Sequence, residues 1–210
     1  MASDDAAQKR PGPSGSPVFG SLRRCASSVC RSGHTAFVAP GTDPKSGTPN
    51  KQFYCFATPI SDAEILLIDK SPPAIKTARE NRRRLRIRSN RTRIQQEDFS
   101  VFAGRTGKKF EMIVSNPPYI SLTERRNLPK EVRREPEAAL FGGPDGLDFI
   151  RILITESRKI LAAGGYLIFE IGYGQAERTV SLLEKAGFKL DEVIKDLAGI
   201  DRVVICQKSM

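Results

Sequence analysis

Short apolar runs alternate with stretches of helical period from about residue 59 to the end of the chain. Runs that are apolar almost throughout predict strands buried on both faces, as in parallel sheets. Because such strands alternate with helices, the pattern predicts an α/β domain with a mostly parallel sheet. The predicted strands are Glu64–Asp69 and residues 93–97, 111–115, 166–171 and 202–207.

Helix signals stand between these runs. Ser71 before Pro72 and Pro73 predicts a helix start, because Ser suits the N-cap and Pro the first turn. Two later helices show apolar residues at helical spacing, and glycines at Gly164-Gly165 and Gly187 are predicted to end them. Their apolar positions are Leu147, Ile150, Ile154 and Leu161 in one helix, and Ala176, Val180 and Leu183 in the next. No apolar run approaches the ~20 residues of a membrane span.

Residues 1–57 differ from the rest of the chain. They are rich in Gly, Pro, Ser and Thr and show no sustained period, so we expect a low-complexity, disordered extension, followed by one folded domain over residues 58–210. Asp4 and Asp5 argue against a transit peptide, and we expect a cytoplasmic protein. Scattered cysteines fit a reducing compartment, and the spacing of Cys25, Cys30 and His34 does not favour a metal site.

The chain carries a formal net charge of +10, which permits contact with nucleic acid without proving it. Much of the excess lies in the run from Arg79 to Arg93. A solvated helix face and loop is the favoured interpretation of this run. A phosphate-binding patch is the alternative.

Three polar residues follow successive predicted strands, at the sheet edge where ligands bind in open α/β proteins. Asp69 could accept hydrogen bonds from ribose hydroxyls, or it could be an acid at the N-terminus of the following helix. Asp98 and Phe99 could contact an adenine amine and stack on the purine, or they could be a turn acid and a core side chain. Asn116 follows the third strand.

The most informative element is Asn116-Pro117-Pro118-Tyr119. Proline fixes φ and lacks an N–H, so this turn leaves carbonyl groups facing outward. The Asn116 amide oxygen and a carbonyl of the proline region can together accept both protons of one planar NH₂ group, while Tyr119 packs against it. Such a nitrogen is a poor nucleophile, and positioning it in line with an activated methyl donor can supply much of the catalysis.

Residues 113–120 resemble the signature of amino-methyltransferases that act on glutamine or adenine. Residues 135–147, 170–175 and 196–202 narrow the resemblance to protein-glutamine N-methyltransferases of the HemK/PrmC type, which modify peptide chain release factors. The resemblance covers about residues 59–208, and the stretch 135–147 is its most specific part. The resemblance implies a class I, Rossmann-like fold and S-adenosyl-L-methionine as cofactor.

The resemblance also implies roles for matching residues. Asp69 would bind the cofactor ribose, with Asp98 and Phe99 at its adenine and Asn116 beside it. Asn116 and Pro117 would hold the glutamine amide of a Gly-Gly-Gln loop in the release factor. The remaining substrate-binding positions that it implies are Pro118, Tyr119 and Glu135.

The sequence departs from this family upstream of Glu64. Residues 50–59 contain neither the family's Gly-rich cofactor turn nor a clear strand, and its helical amino-terminal domain is not recognisable. We therefore expect a sheet truncated at its amino-terminal side. Two other functions stay open: adenine N6-methylation of RNA or DNA, favoured by the basic run, and an inactive remnant, favoured by the missing turn.

Overall fold

The computed structural model describes residues 34–38, 64–87, 90–129, 132–134 and 137–210. Its strands and helices alternate along most of this range. The strands are β1 (His34–Val38), β2 (Glu64–Asp69), β3 (Thr92–Gln96), β4 (Phe110–Ser115), β5 (Leu161–Glu170), β6 (Phe188–Lys195) and β7 (Asp201–Lys208). The α-helices are α1 (Pro72–Arg84), α2 (Phe99–Arg105), α3 (Glu137–Leu140), α4 (Asp148–Ile160) and α5 (Ala176–Lys185), and Leu122–Asn127 and Val132–Arg134 form 3₁₀ turns.

The seven strands form one sheet in the order β3-β2-β1-β4-β5-β7-β6. The pairs from β3 across to β5 are parallel, and β7 is antiparallel to both of its neighbours. The predicted α/β architecture with a mostly parallel sheet is confirmed.

Strand β1 corrects the expectation that the sheet lacks a strand before Glu64. His34–Val38 pairs with β2 on one side and with β4 on the other, so it is a central member of the sheet. Its apolar run is only Ala36-Phe37-Val38, too short for a periodicity argument, and its place depends on two partners distant in sequence. The rest of residues 1–57, and residues 50–59 with them, lies outside the described range, so the predicted extension stays a prediction.

The boundary between α4 and β5 also differs from the prediction. Helix α4 ends at Ile160 and β5 begins at once at Leu161, whereas the sequence placed Gly164-Gly165 at the helix end. Gly164 has φ +72°, and the pairing of β4 with β5 shifts register across this stretch. The glycine pair therefore allows an irregularity inside a strand, a role that glycine also takes in β-bulges.

Helices cover both faces of the sheet. Ile75 of α1 packs with Ile65 and Leu67 on one face. On the other face, α2, α4 and α5 pack over the central strands in one cluster. Each fully buried aliphatic side chain contributes about 1.5–3 kcal/mol to folding. Among the described residues no helix is long and apolar enough to cross a membrane.

Candidate active site

The carboxyl ends of β2 and β4 place Asp69 and Asn116 at the same edge of the sheet. Val38 of β1 pairs with Ile68 on one side and with Ser115 on the other. Asp69 and Asn116 each lie one residue beyond these partners, separated by the width of β1. Two strand spacings amount to about 10 Å. The two residues therefore share one rim, as a common cleft requires.

Asp69 is a buried carboxylate, with 6% of its surface exposed. Its Oδ1 accepts a hydrogen bond from the backbone N of Ser71 at 2.7 Å, just before α1. Ser71 in turn caps α1, because its side chain accepts from the backbone N of Ala74. Asp69 thus has the helix-terminal role that the sequence allowed, and it also presents acceptor chemistry suited to hydroxyl groups at the ligand-binding edge.

Asp98 and Phe99 lie one strand further along the same edge. Asp98 is exposed and caps α2, because its Oδ1 accepts from the backbone N of Ser100 at 2.9 Å. Phe99 is half-buried and packs against the main core cluster. Asp69 pairs with Gln96, so Asp98 follows β3 only two residues beyond the level of Asp69. The adenine contacts of Asp98 and Phe99 stay predictions.

The turn that follows β4 is held firmly at Tyr119. Pro117 and Pro118 are buried, and Asn116 and Tyr119 are half-buried. The Tyr119 hydroxyl donates to Oε1 of Glu170 at 3.0 Å, and the Tyr119 carbonyl accepts from Nε2 of Gln175 at 2.8 Å. Tyr119 is therefore fixed at both its side chain and its backbone.

Gln175 is a site residue to which the sequence analysis assigned no role. Its side chain is almost fully buried, and its Oε1 accepts from the backbone N of Gly172 at 2.8 Å. Its Nε2 donates to Tyr119 and lies 3.5 Å from the carbonyl of Gly146. One amide thus connects three segments. A single Gln before a helix carries no local signal for such a role, because its partners are distant in sequence.

The loop over residues 141–147 packs directly on the Asn116–Tyr119 turn. Ile120 pairs with Phe141 in an isolated parallel bridge. A Cβ on Gly142 would lie 2.6 Å from the Pro118 carbonyl, and one on Gly146 would lie 2.4 Å from the Tyr119 carbonyl. Gly146 also has φ +77°, so glycine is required there for two reasons. Glu135 lies outside the described residues.

Ion pairs fix this loop from the outer side. Oδ2 of Asp145 lies 2.6 Å from Nη2 of Arg151 and 2.5 Å from Nη2 of Arg178. Its Oδ1 accepts a hydrogen bond from the backbone N of Leu147. The hydrogen bond from Arg151 and then that from Leu147 hold the pKa of Asp145 well below its usual range. The loop is therefore tied to α4 and α5 through one carboxylate.

Glu170 ends β5 beside the turn. Because Ser115 pairs with Phe169, Glu170 lies at the level of Asn116 on the next strand. Burial raises the pKa of Glu170, while the hydrogen bond from Tyr119 and the charge of Arg202 oppose that rise. The edge that holds Asn116 thus combines amide, carbonyl and carboxylate acceptors.

Comparison with known proteins agrees with this architecture. Residues 55–141 match the family described as Methyltransferase small domain. The ribosomal protein L11 methylase from Lactobacillus delbrueckii subsp. bulgaricus has a similar fold, with a TM-score of 0.60 at 18% identity over 91% of this chain and 77% of that one. N-methyltransferase NodS from Bradyrhizobium japonicum WM9, in complex with S-adenosyl-l-homocysteine, gives a TM-score of 0.59 at 15% identity over 100% of this chain and 94% of that one.

The sheet order and the site edge therefore define a class I methyltransferase domain, the class whose cofactor is S-adenosyl-L-methionine. Within that class, the chain is related to the release factor glutamine methyltransferases, which confirms the resemblance. It is 41% identical to that of Clostridium acetobutylicum over 69% of this chain and 50% of the relative. A relative from Thermodesulfovibrio yellowstonii is 42% identical over 70% and 51%. The chain thus spans about half the length of these relatives.

Proposed function

We propose that this protein transfers a methyl group from S-adenosyl-L-methionine to the side-chain amide nitrogen of a glutamine in a peptide chain release factor. The observation that carries the proposal is the Asn116–Tyr119 turn, on the same sheet edge as Asp69 and about two strand spacings away. A planar NH₂ group at the turn would then face a methyl donor whose ribose is held by Asp69.

The packing of the turn indicates which of its oxygens would contact the acceptor. The Tyr119 carbonyl accepts from Gln175, and the Pro118 carbonyl lies against Gly142. Among the turn's acceptors, this leaves the Asn116 side-chain oxygen and the Pro117 carbonyl as the pair best placed to accept the two amide protons. The same pair follows from the family resemblance.

The chemistry needs orientation more than acid–base power. The cofactor supplies an electrophilic methyl group on sulfur, so no further activation of the donor is required. An amide nitrogen is weakly nucleophilic, and two acceptors on its protons increase its electron density and fix its direction. Asn116 and Pro117 would hold the nitrogen in line with the methyl group, an arrangement that can lower the barrier by several kcal/mol. The N–C bond would form as the S–CH₃ bond breaks, S-adenosyl-L-homocysteine would leave as a neutral thioether, and one amide proton would pass to water.

The test has two stages. Calorimetric titration with S-adenosyl-L-methionine should show binding, and Asp69→Ala should weaken it. Purified protein with labelled cofactor should then label a release factor, but not the same factor with its Gly-Gly-Gln glutamine replaced by alanine. Asn116→Ala should lose transfer while still binding cofactor, whereas Asn127→Ala, a change at an exposed asparagine, should retain both.

The outcomes separate the rival functions. Absence of cofactor binding at millimolar concentration would indicate the inactive remnant. Cofactor binding with label appearing on adenine in RNA or DNA, and not on the release factor, would support adenine methylation instead. Either result would overturn the glutamine proposal.

A further inference from the structure

Charge is distributed unequally between the two edges of the sheet. Residues 79–109 contain eleven Lys or Arg and three Asp or Glu, a net of +8, compared with +10 for the whole chain. The fold decides where this charge lies. Helices that connect parallel strands run back against the strand direction, so their last turns reach the amino ends of the strands. The candidate active site is at the opposite, carboxyl edge.

The basic residues accordingly collect at the amino edge. The last turn of α1 contains Arg82, Arg83 and Arg84. Arg91 and Arg93 lie at the start of β3, and Lys108 precedes β4. These last three line a concavity of about 240 Å³, together with one acid, Glu64.

The basic surface continues across the sheet at the same edge. Lys109, just before β4, donates from Nζ to the carbonyl of Lys159 at 2.6 Å. Lys208, at the end of antiparallel β7, donates from Nζ to the carbonyl of Arg158 at 2.8 Å. Burial lowers the pKa of Lys208, and the charges of Lys109 and Arg158 lower it further, so these cations are close neighbours. The one nearby acid on α4, Glu156, pairs with Lys159.

We call the surface made by Arg82–Arg84, Arg91, Arg93, Lys108, Lys109, Arg158 and Lys208 the basic edge. It extends from β3 to β7, five strand spacings or about 24 Å. Base pairs of a duplex repeat at about 3.4 Å, so the basic edge matches roughly seven of them. An elongated row of cations of this length fits a regularly charged partner.

The side chains at the basic edge favour phosphate groups as that partner. Arginine dominates the edge, and its planar group binds phosphate through two hydrogen bonds. A lipid surface or a single strand would need apolar or aromatic side chains to insert or stack. In the described part of the chain the exposed large apolar residues are Val101, Leu122, Ile152, Tyr173, Leu197 and Met210. Of these, only the terminal Met210 follows an element that ends at this edge.

We propose that the basic edge binds the phosphate backbone of double-stranded nucleic acid. The six residues of β2 separate this edge from the carboxyl edge by about 20 Å. A base displaced from a duplex at the basic edge would therefore not reach Asn116. The duplex is bound as a docking partner and not as a methyl acceptor, so the charge of the run from Arg79 to Arg93 does not favour adenine methylation.

Fluorescence anisotropy with labelled 20-base-pair RNA and DNA duplexes, titrated between 50 and 200 mM salt, tests this proposal. If about six phosphates are contacted, affinity should fall roughly 1,000-fold across this range. Arg83→Glu, Arg93→Glu and Lys108→Glu combined should reduce the slope of log affinity against log salt by about three. A comparison of the affinities for the RNA and DNA duplexes shows whether the geometry of the phosphate backbone also contributes to binding.

The control carries the same change in net charge at other exposed cations: Lys70→Glu, Lys76→Glu and Arg126→Glu combined. It should retain most of the salt dependence of the wild type. Circular dichroism confirms that both variants fold, and hydrogen exchange on the wild-type protein should show duplex-induced protection within residues 82–93 and 105–109. Three results would overturn the proposal: no duplex binding at 50 mM salt, equal loss in both triple variants, or tighter binding to phosphatidylserine vesicles than to either duplex.

Discussion

Gln175 holds the active-site turn through a single side-chain amide, and its replacement by leucine gives a quantitative test of that role. Leucine keeps most of the volume but removes the acceptor for the Gly172 N–H and the donor for the Tyr119 carbonyl, bonds of 2.8 Å each. A buried polar group left without a partner costs about 1–3 kcal/mol. We therefore expect Gln175→Leu to lower the free energy of unfolding by about 2–4 kcal/mol, a large share of a typical domain's stability.

The catalytic effect should exceed what stability explains. The Tyr119 carbonyl is three residues beyond Asn116, so its release loosens the acceptors that would orient the glutamine amide. A displacement of about 1 Å can cost roughly 100-fold in rate. We expect kcat to fall about 10- to 100-fold, while the affinity for S-adenosyl-L-methionine changes less than threefold, because Asp69 lies two strands away.

Gln207→Leu is the matched control. Gln207 also donates from Nε2 to a backbone carbonyl at 2.8 Å, that of Gly164, but at the amino edge. Gln207→Leu should lower the free energy of unfolding by about 1 kcal/mol and leave kcat unchanged. Urea denaturation gives the stability, and methyl transfer is measured well below each variant's Tm. An unchanged kcat in Gln175→Leu, or an equal loss in Gln207→Leu, would refute the positioning role.

Three further predictions use the same region. Gly146→Ala should destabilise the fold by more than 2 kcal/mol and reduce activity, because a Cβ would lie 2.4 Å from the Tyr119 carbonyl oxygen. Gly174 has a similar φ of +70° but no heavy atom within 4 Å of such a Cβ, so Gly174→Ala should cost only about 1 kcal/mol. Thermal melts that rank the two variants equally would contradict this. Burial raises the pKa of Glu170, so the stability that its protonated form contributes is complete below about pH 4.5 and is lost as pH rises through the raised pKa. Glu170→Gln should therefore gain stability relative to wild type between pH 4.5 and 7. Parallel plots of stability against pH for the two proteins would exclude the effect. The pKa of Asp145 is lowered, so its contribution is complete above about pH 3.8 and shrinks as pH falls toward the lowered pKa. Asp145→Asn should cost about 1 kcal/mol in urea denaturation at pH 7 and less near pH 2, and a cost that does not shrink in acid would count against the ion-pair explanation.

Much of the fold follows from local patterns in the sequence. The strand at Glu64–Asp69 and the helix capped by Ser71 were predicted directly, because a buried parallel strand and an N-cap each have a signal within a few residues. The common edge of Asp69 and Asn116 then follows from parallel strand direction alone. These features depend on short-range chemistry, and a single sequence is sufficient for them.

The features that the sequence did not predict depend on long-range packing. Strand β1 is fixed by partners on both sides, and β6 is an edge strand whose polar positions interrupt the expected pattern. Gln175 acts through Tyr119, 56 residues away in the chain. Residues 50–59, before Glu64, lack the family's Gly-rich turn. Gly41 and Gly47 follow β1 in sequence and lie outside the described residues.

The separation of charge across the sheet gives the domain an electric polarity. Its net positive charge is concentrated at the basic edge, whereas the carboxylates Asp145 and Glu170 at the opposite edge lie beside arginines. Near a polyanion, the domain experiences an orienting torque before contact, so the basic edge approaches the polyanion first. The Asn116 turn would then point outward, away from the anchoring surface, where a protein loop could reach it without displacing the anchor.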